Sequence, residues 1–354
     1  VANFYAGRET VKHALKIDGS GSDSLVDRHI GAASRDIDRL CLGRVFIPRT
    51  QTRAYRWPPL QTYRSHILDL DFDLISVTTL QTKAQDSSPT TIAASDYFLE
   101  PVNEGPPYTR IEIDLSSNAA FEPGDTPQRA IEVTGSWGYG ADTVSAGTVA
   151  SGLASSATAT EMVCSNAGLI EVGHTLLIEA EQVFVSGRAY SDLGANIDGA
   201  LNATKSQEAV TVEGGHGLAD GEVILVDSER MLIRSITANV LQVIRAYDGT
   251  TLASHSDASD IYVGRTLTIE RGINGTTAAT HANATAASRY TPPADIETLC
   301  VALALAKMAQ DLSSWGRSVG AGESPLEVSG KALENLKTAV VREFARRSPK
   351  AAAV

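Results

Sequence analysis

The period of the hydrophobic positions changes along the chain. From Ser24, residues Val26, Ile30, Ala33, Ile37 and Leu40 recur at helical spacing up to Gly43, while Arg28, Arg35, Asp36 and Arg39 fill the opposite face. That spacing predicts an amphipathic helix of about five turns. A shorter helix is predicted over 9–17, with "GSGSDS" breaking the chain between the two and supplying caps. At "LDLDFDL" the period falls to two: Leu68, Leu70, Phe72 and Leu74 alternate with Asp69, Asp71 and Asp73, the pattern of a half-buried strand. "DYFLEPVNEGPPYTRIEIDL" reads as two strands of a hairpin around a Pro/Gly/Asn loop, and "RAIEVTGSWGYG" as a further strand ending in glycines.

After Gly140 the composition shifts. "ADTVSAGTVASGLASSATATE" is small and polar and reads as a linker, and from Glu161 to about Arg289 only strand and turn signals occur. The helical period returns after "TPPAD". Leu299, Leu303 and Ala306 mark one face and Val301, Leu305, Met308 and Leu312 another, which predicts a helix buried between two neighbours. "SPLE" reads as a capping box from Ser324 to Glu327 that opens a last helix with the stripe Leu333, Leu336, Val340 and Phe344. Helices, strands, β-insertion and helices in that order predict an α+β fold. Residues 1–140 and 291–354 would form a helical bundle core with a small antiparallel β-sheet, and 141–290 an inserted all-β module of repeated β units.

The repeats are visible as echoes. "LTIERGINGTTAATHA" (267–282) repeats "LQVIRAYDGTTLASHS" 26 residues earlier, and "GLADGEVILVDSERMLI" (217–233) repeats "GLIEVGHTLLIEAEQVFV" 48 residues earlier. One unit therefore consists of an opening half, with a glycine turn and a strand ending in two acids, and a closing half, with Arg, Asp/Asn-Gly-Thr-Thr and His. Residues 210–256 hold a whole unit, whereas the first opening half and the last closing half lack partners of their own. Nesting, with one copy inserted into another, would place strand 174–185 beside 266–272. Tandem copies with a decayed first ending would instead pair 174–185 with a strand near 197–206.

Composition narrows the chemistry. The net charge is −12, and most of the excess sits in residues 141–290, with 17 acids against 8 bases. A general nucleic-acid binder shows a basic face instead. Cys41, Cys164 and Cys300 are far apart and odd in number, so free thiols in a reducing compartment are expected rather than a disulfide framework or metal spacing. No charged-then-apolar leader opens the chain and no apolar run is long enough for a membrane span, which leads to the expectation of a protein folded in a cytoplasm without membrane contact.

The glycine turns are flanked by β patterns with no placed lysine, so they do not form a phosphate cradle, and no cofactor is expected. Asn274-Gly275 and Asp248-Gly249 read as two-residue hairpin turns. His255 and His281 follow them without a zinc-ligand set or a nucleophile-elbow sequence, and are expected to bond a turn backbone rather than act as bases. Glu181 and Glu229 are conceivable calcium ligands, but no complete oxygen-ligand loop surrounds them, so no metal site is assigned. Asp69, Asp71 and Asp73 would share one strand face at about 7 Å spacing, loose for a metal and suited to a solvated face.

The outer frame, residues 24–140 and 291–347, resembles the head-to-tail connector (adaptor) family of tailed bacteriophages. The resemblance is carried by the opening helix followed by "GRVFIPRTQTRAY", by "LDLDFDLISVTTLQT", by "DYFLEPVNEGPPYTRIEIDL" with Pro106-Pro107-Tyr108, and by "RAIEVTGSWGYG" with Val133-Thr134-Gly135 and Trp137-Gly138-Tyr139. An alanine-rich helix follows, here "TPPADIETLCVALALAKMAQDL". The chain departs from the family in the insertion between Gly140 and Thr291, whose "IERGINGT…H" unit is similar to repeats in phage structural proteins. The resemblance implies a non-enzymatic virion protein of the neck between head and tail, assembled in the host cytoplasm. It would form a ring of identical copies, usually twelve, that joins the portal protein to a downstream tail or stopper protein. Double-stranded DNA would pass through the ring without specific binding. It also implies portal contacts from the C-terminal helix and tail, here Phe344, Arg346, Arg347 and Lys350. A DNA channel favours an acidic wall, for which Asp69, Asp71 and Asp73 are candidates. The competing readings are a carbohydrate- or surface-binding virion β-protein, in which the insertion is the working part, and a hydrolase using His255 or His281.

Overall fold

The computed structural model describes residues 3–57, 65–312, 318–319, 326–327 and 331–346. Within them the chain is mostly β, with two large antiparallel sheets of six and ten strands, a two-stranded pairing, and four α-helices. This corrects the expected α+β fold: the described residues contain no helical bundle core. Strand extends further than the periodicity suggested, for two local reasons. The strand that opens at "ILDLDFDL" runs on through β-branched Ile75, Val77, Thr78 and Thr79 to Thr82. The small, polar stretch after Gly140, expected to be a linker, is itself a strand, whose Ala146 and Val149 are fully buried.

By packing the chain divides into two compact units, one of Val1–Ile37, Thr143–Ile273 and Thr277–Thr338, the other of Asp38–Asp142, Asn274–Thr276 and Ala339–Val354. The second unit holds the six-stranded sheet. Its strands are β1 (Arg49–Tyr55), β2 (Ile67–Thr82), β3 (Thr90–Ile92), β4 (Tyr97–Glu100), β5 (Tyr108–Ile113) and β6 (Ile131–Trp137), in the order β1-β6-β2-β5-β4 with β3 on β2. Leu68, Leu74, Leu80, Ile111, Val133 and Trp137 form its core, and the Trp137 indole N–H donates to the Gln51 carbonyl at 2.9 Å. Gly135 is fixed by close approach, since a Cβ there would collide with the Ser76 carbonyl across the β2–β6 ladder.

The first unit contains helices α1 (Arg8–Leu15), most of α2 (Asp23–Leu40) and α3 (Ala294–Leu312). α2 is tied to α3 by Arg28–Asp311 (2.6 Å), Lys307–Asp36 (2.7 Å) and a buried Ser34–Cys300 contact of 3.4 Å. The predicted capping box does not open the last helix. Leu326–Glu327 form a two-residue strand paired with Ser318–Val319, the last helix, α4, spans Lys331–Phe344, and Ser324 and Pro325 lie outside the described residues.

The remaining ten strands form two small barrels, one nested in the other. They are β7 (Thr143–Ser151), β8 (Glu161–Cys164), β9 (Thr175–Ile178), β10 (Glu181–Asn196), β11 (Ala209–Thr211), β12 (Val223–Val226), β13 (Glu229–Thr237), β14 (Val240–Ile244), β15 (Asp260–Glu270) and β16 (Ala286–Tyr290). Pairing runs β10-β9-β16-β7-β8-β15 and returns from β15 to β10 through Val185↔Ile269 and Arg188↔Leu267, which closes an outer ring. A second ring runs β15-β12-β13-β14-β11 and closes through the bridge Ile197↔Val212 and the pairing Asp192↔Tyr262.

Each ring uses one half of β10 and one half of β15. The two rings correspond residue by residue at the offsets of the sequence echo. Val149↔Cys164 in the outer barrel becomes Ile197↔Val212 in the inner one, and the β9–β10 hairpin becomes β12–β13. Their interiors correspond as well, with Leu176, Ile178, Val185 and Ile269 in one and Ile224, Val226, Ile233 and Val243 in the other. Phe184 and Val185 pair with Glu270 and Ile269, so the nested order holds and the tandem one does not.

The inner barrel emerges where the outer one would otherwise have a hairpin tip, and the equivalent tip of the inner barrel is the exposed Ala238-Asn239 turn between β13 and β14. A further copy of residues 191–264 inserted between Ala238 and Asn239, the counterparts of Tyr190 and Arg265, is therefore expected to fold, because the junction only lengthens an existing ladder. Thermal unfolding followed by circular dichroism checks this. The expected result is a cooperative transition with increased strand signal, and loss of cooperativity would show that the tip is not equivalent to the nesting junction.

Candidate functional site

The residues singled out by the echo meet at one end of each barrel. Glu229 opens β13 immediately after a tight turn in which Asp227 takes a left-handed conformation (φ 51°). Its carboxylate is fully buried. One oxygen accepts from Arg245 Nε at 2.7 Å and the Ala246 amide at 2.8 Å. The other accepts from an Arg245 terminal nitrogen at 2.8 Å, the Ala253 amide at 3.1 Å and, through a 2.9 Å contact, His255 Nε2. Nδ1 of His255 lies 2.7 Å from Asp227.

The outer barrel repeats each contact. Glu181 meets Arg271 at 2.6 Å through both oxygens, Gly272 N at 3.0 Å, Ala279 N at 3.1 Å and His281 Nε2 at 2.8 Å, and His281 Nδ1 lies 2.8 Å from Glu179. Arg245 also donates to the Ala253 carbonyl at 2.7 Å and Arg271 to the Ala279 carbonyl. The histidine backbones are tied down too, His255 N to Leu201 O at 2.9 Å and His281 N to Leu153 O at 3.0 Å.

Five N–H groups around a carboxylate with about four lone-pair positions leave no oxygen site for a cation, so Glu181 and Glu229 are not calcium ligands. The histidines bond carboxylates and not the turn backbone expected of them. Both ring nitrogens of each are engaged, and both rings are buried. Taking a proton from a substrate would require breaking one of these contacts. Burial alone would raise the Glu181 and Glu229 carboxyls. The bidentate arginine, the histidine and the two backbone amides more than offset it and hold each at about 2.

The Asn-Gly and Asp-Gly pairs form single left-handed turns, not β-hairpins. Asp248, Gly249, Asn274 and Gly275 all take positive φ and send the chain on, without a ladder, toward the histidines. The constellation is thus a staple. A buried glutamate joins the end of one strand to the arginine that follows another, and pins the extended segment that returns across the barrel end.

The other sequence candidates lie in the second compact unit. Asp69 and Asp71 are exposed on β2, and Asp71 accepts from the Tyr55 hydroxyl at 2.8 Å. Asp73 does not share their face. A register shift in the β2–β5 pairing between Asp69 and Leu74 turns it inward, where it is 2% exposed and bonded to Arg44 Nε at 2.8 Å. Phe344 is buried between Phe46 (5.8 Å) and Tyr139 (5.4 Å), so its ring is core here. Arg346 lies over the Phe72 ring at 5.0 Å and donates to the Asp71 carbonyl. Arg347 and Lys350 lie outside the described residues.

Sequence reasoning missed a cleft of about 440 Å³ between α1 and the barrels. α1 is fastened at both ends. Arg8 N donates to Val172 O at 2.9 Å and Thr10 bonds Glu171 on the outer barrel, while Gly19 N donates to Asp248 Oδ1 at 3.0 Å on the inner one. Beneath it lie Arg188 and Tyr190 of β10, Arg230 of β13, and Tyr247. A signal existed in the repeat: at the 48-residue offset Arg188 and Tyr190 correspond to Ile236 and Ala238, and at the 26-residue offset Tyr247 corresponds to Ile273. The cleft is built where the two copies differ.

Replacing Glu229 by Gln leaves Arg245 buried without its counter-charge, and is expected to cost about 3–5 kcal/mol. Glu229→Gln combined with Arg245→Met should recover part of that loss. Urea unfolding of the two variants measures both, and equal stability of the single variant and wild type would show that the staple carries no energy. The pH dependence follows from the same carboxyls. Each sits at about 2 when folded and near 4.3 when unfolded. Their contribution, on the order of 3 kcal/mol each, is complete above the unfolded value and is lost as pH falls toward the folded one. Stability is therefore expected to drop between about pH 4.5 and 2, and Glu181→Gln should flatten that drop.

Compared with family models, with curated proteins and with solved structures, the chain finds no match in any of the three.

Proposed function

We propose that the protein is a structural component of a tailed-phage virion: a ring-forming adaptor in the neck that joins the portal protein to a downstream tail or stopper protein and continues the DNA channel. The observation that carries this reading is the placement of the segments that resemble the adaptor family. The strands of "RTQTRAY", "ILDLDFDLISVTTLQT", "YFLE", "YTRIEI" and "IEVTGSW" form one antiparallel sheet around Trp137 and Gly135, so motifs spread over almost ninety positions are a single structural element. The histidines support the same reading, because the two residues on which hydrolysis would rest are committed to buried contacts with carboxylates.

Two details of the proposal follow the structure. An acidic channel wall would draw on Asp69 and Asp71, with Asp73 left to its internal pair with Arg44. Bases there would bind passing DNA with strong salt dependence and retard it. A portal contact would draw on Arg346, Arg347 and Lys350. Phe344 would hold the helix in place from within, since removing a buried aromatic ring costs about 3–5 kcal/mol.

Negative-stain images of the purified protein, alone and mixed with portal protein, test the central assignment. Closed rings that stack on portal rings are expected, and a monomer in both preparations would contradict it. Deleting residues 347–354 spares Phe344 and should leave the melting transition unchanged while abolishing co-sedimentation with the portal. Undiminished binding would remove the tail from the interface.

A further inference from the structure

The cleft under α1 is bounded by attachments to both barrels, Arg8 N to Val172 O at the start of the helix and Gly19 N to Asp248 Oδ1 in the segment after it. Its charges are unevenly satisfied. Arg8 is paired with Asp23 (3.1 Å) and Asp27, Lys12 with Asp23 (3.1 Å) and Asp248 (3.5 Å), and Arg230 with Asp248. Two further cations line the same space without a carboxylate at ion-pair distance among the described residues. Arg188 donates only to the carbonyl oxygens of Ala167 and Ile170, and its Nε is buried with no partner. Lys16, exposed at the end of the helix in a left-handed conformation (φ 54°), makes no ion pair among the described residues. Tyr247 and Tyr190 also line the space, the Tyr190 ring with Arg230 over it at 5.4 Å, and so do Asp18 and Ser20.

We propose that this cleft binds a carboxylated sugar, a uronic-acid-type monosaccharide or a disaccharide containing one. The carboxylate would pair with Arg188 and Lys16, neither of which has a carboxylate at ion-pair distance among the described residues. The apolar face of the sugar ring would lie on a tyrosine, and its hydroxyls would donate to the carboxylate and hydroxyl oxygens at the rim. A neutral sugar leaves the two cations unanswered. A phosphate brings a second negative charge toward Glu9, Asp18, Asp23 and Asp248, and has no ring to place on the tyrosines. The Glu9 carboxyl beside this space is raised by burial and lowered by the nearby Arg188, so Arg188 already feels one carboxylate from beyond ion-pair distance. The volume of about 440 Å³ is within the range of small-ligand pockets. This inference is independent of the ring assignment, since it requires one chain and a site in the first compact unit alone.

The test is calorimetric titration of the full chain with glucuronate, glucose and inorganic phosphate, with saturation-transfer NMR to identify the bound face of the sugar. Glucuronate is expected to bind and glucose to bind at least about tenfold more weakly, a difference of about one charge-assisted contact. Lys16→Gln and Tyr247→Ala should each weaken glucuronate by a similar factor. Lys16 carries no internal ion pair, so its variant should melt with wild type and report binding alone. Absence of glucuronate binding, equal binding of glucose, tighter binding of phosphate, or unchanged affinity in Lys16→Gln with the fold intact would each overturn the proposal.

Discussion

A carboxylate buried at the end of a small β-barrel is the constraint on which the larger unit depends. A six-stranded ring closes its sides with backbone ladders, but its ends are crossed by segments without ladder partners of their own. Buried amides in such segments must still find acceptors. Glu229 supplies them for Ala246 and Ala253, and Glu181 does so for Gly272 and Ala279. The arginine makes this tolerable: an uncompensated buried carboxylate costs several kcal/mol, whereas a bidentate guanidinium with its own carbonyl acceptors repays much of that. The histidine then bridges the buried acid to an exposed one on the adjoining turn, Asp227 or Glu179. Polar atoms are thereby matched in a place that apolar side chains could fill but could not register.

The same closure explains how the sequence of one barrel can be inserted into that of another. Each staple joins residues that are close in space but differently spaced in sequence, 16 apart for Glu229 and Arg245 and 90 apart for Glu181 and Arg271. The outer staple is indifferent to what lies between its halves, provided the two strands leave and return side by side. β10 and β15 do so by running through both rings, with their first and second halves facing different cores. Ten strands thus make two six-stranded rings without a linker. The surface that results is not repeated, and the cleft under α1 uses Arg188, Tyr190 and Tyr247, whose counterparts in the other copy are Ile236, Ala238 and Ile273.

Much of this was legible in the sequence. The offsets of 48 and 26 residues located both halves of each unit and favoured the nested order, because Gly, acid, Arg and His recur at fixed places within it. The roles of those residues were less legible. A histidine six residues after a glycine turn carries no mark of its partner, which lies 26 positions upstream in one copy and 100 in the other. Asn-Gly signals a pair of positive-φ residues, and that held, but the same pair serves a turn into extended coil as well as a hairpin. The helical bundle was overestimated because amphipathic helices give a strong periodic signal, while strands built from Ala, Ser, Thr and Gly, as in β7, give almost none. Asp73 looked exposed because alternation was carried through a register shift that no local residue announces.

Native-state hydrogen exchange of four amides tests the central claim most directly. Ala246, Ala253, Gly272 and Ala279 lie outside every strand, and each donates to a buried glutamate. If the staples close the barrels, these amides exchange as slowly as those of the adjoining strands β13 and β10, through the same global opening. Exchange at the rate of an open loop, with the strands still protected, would show that the carboxylates do not hold the barrel ends.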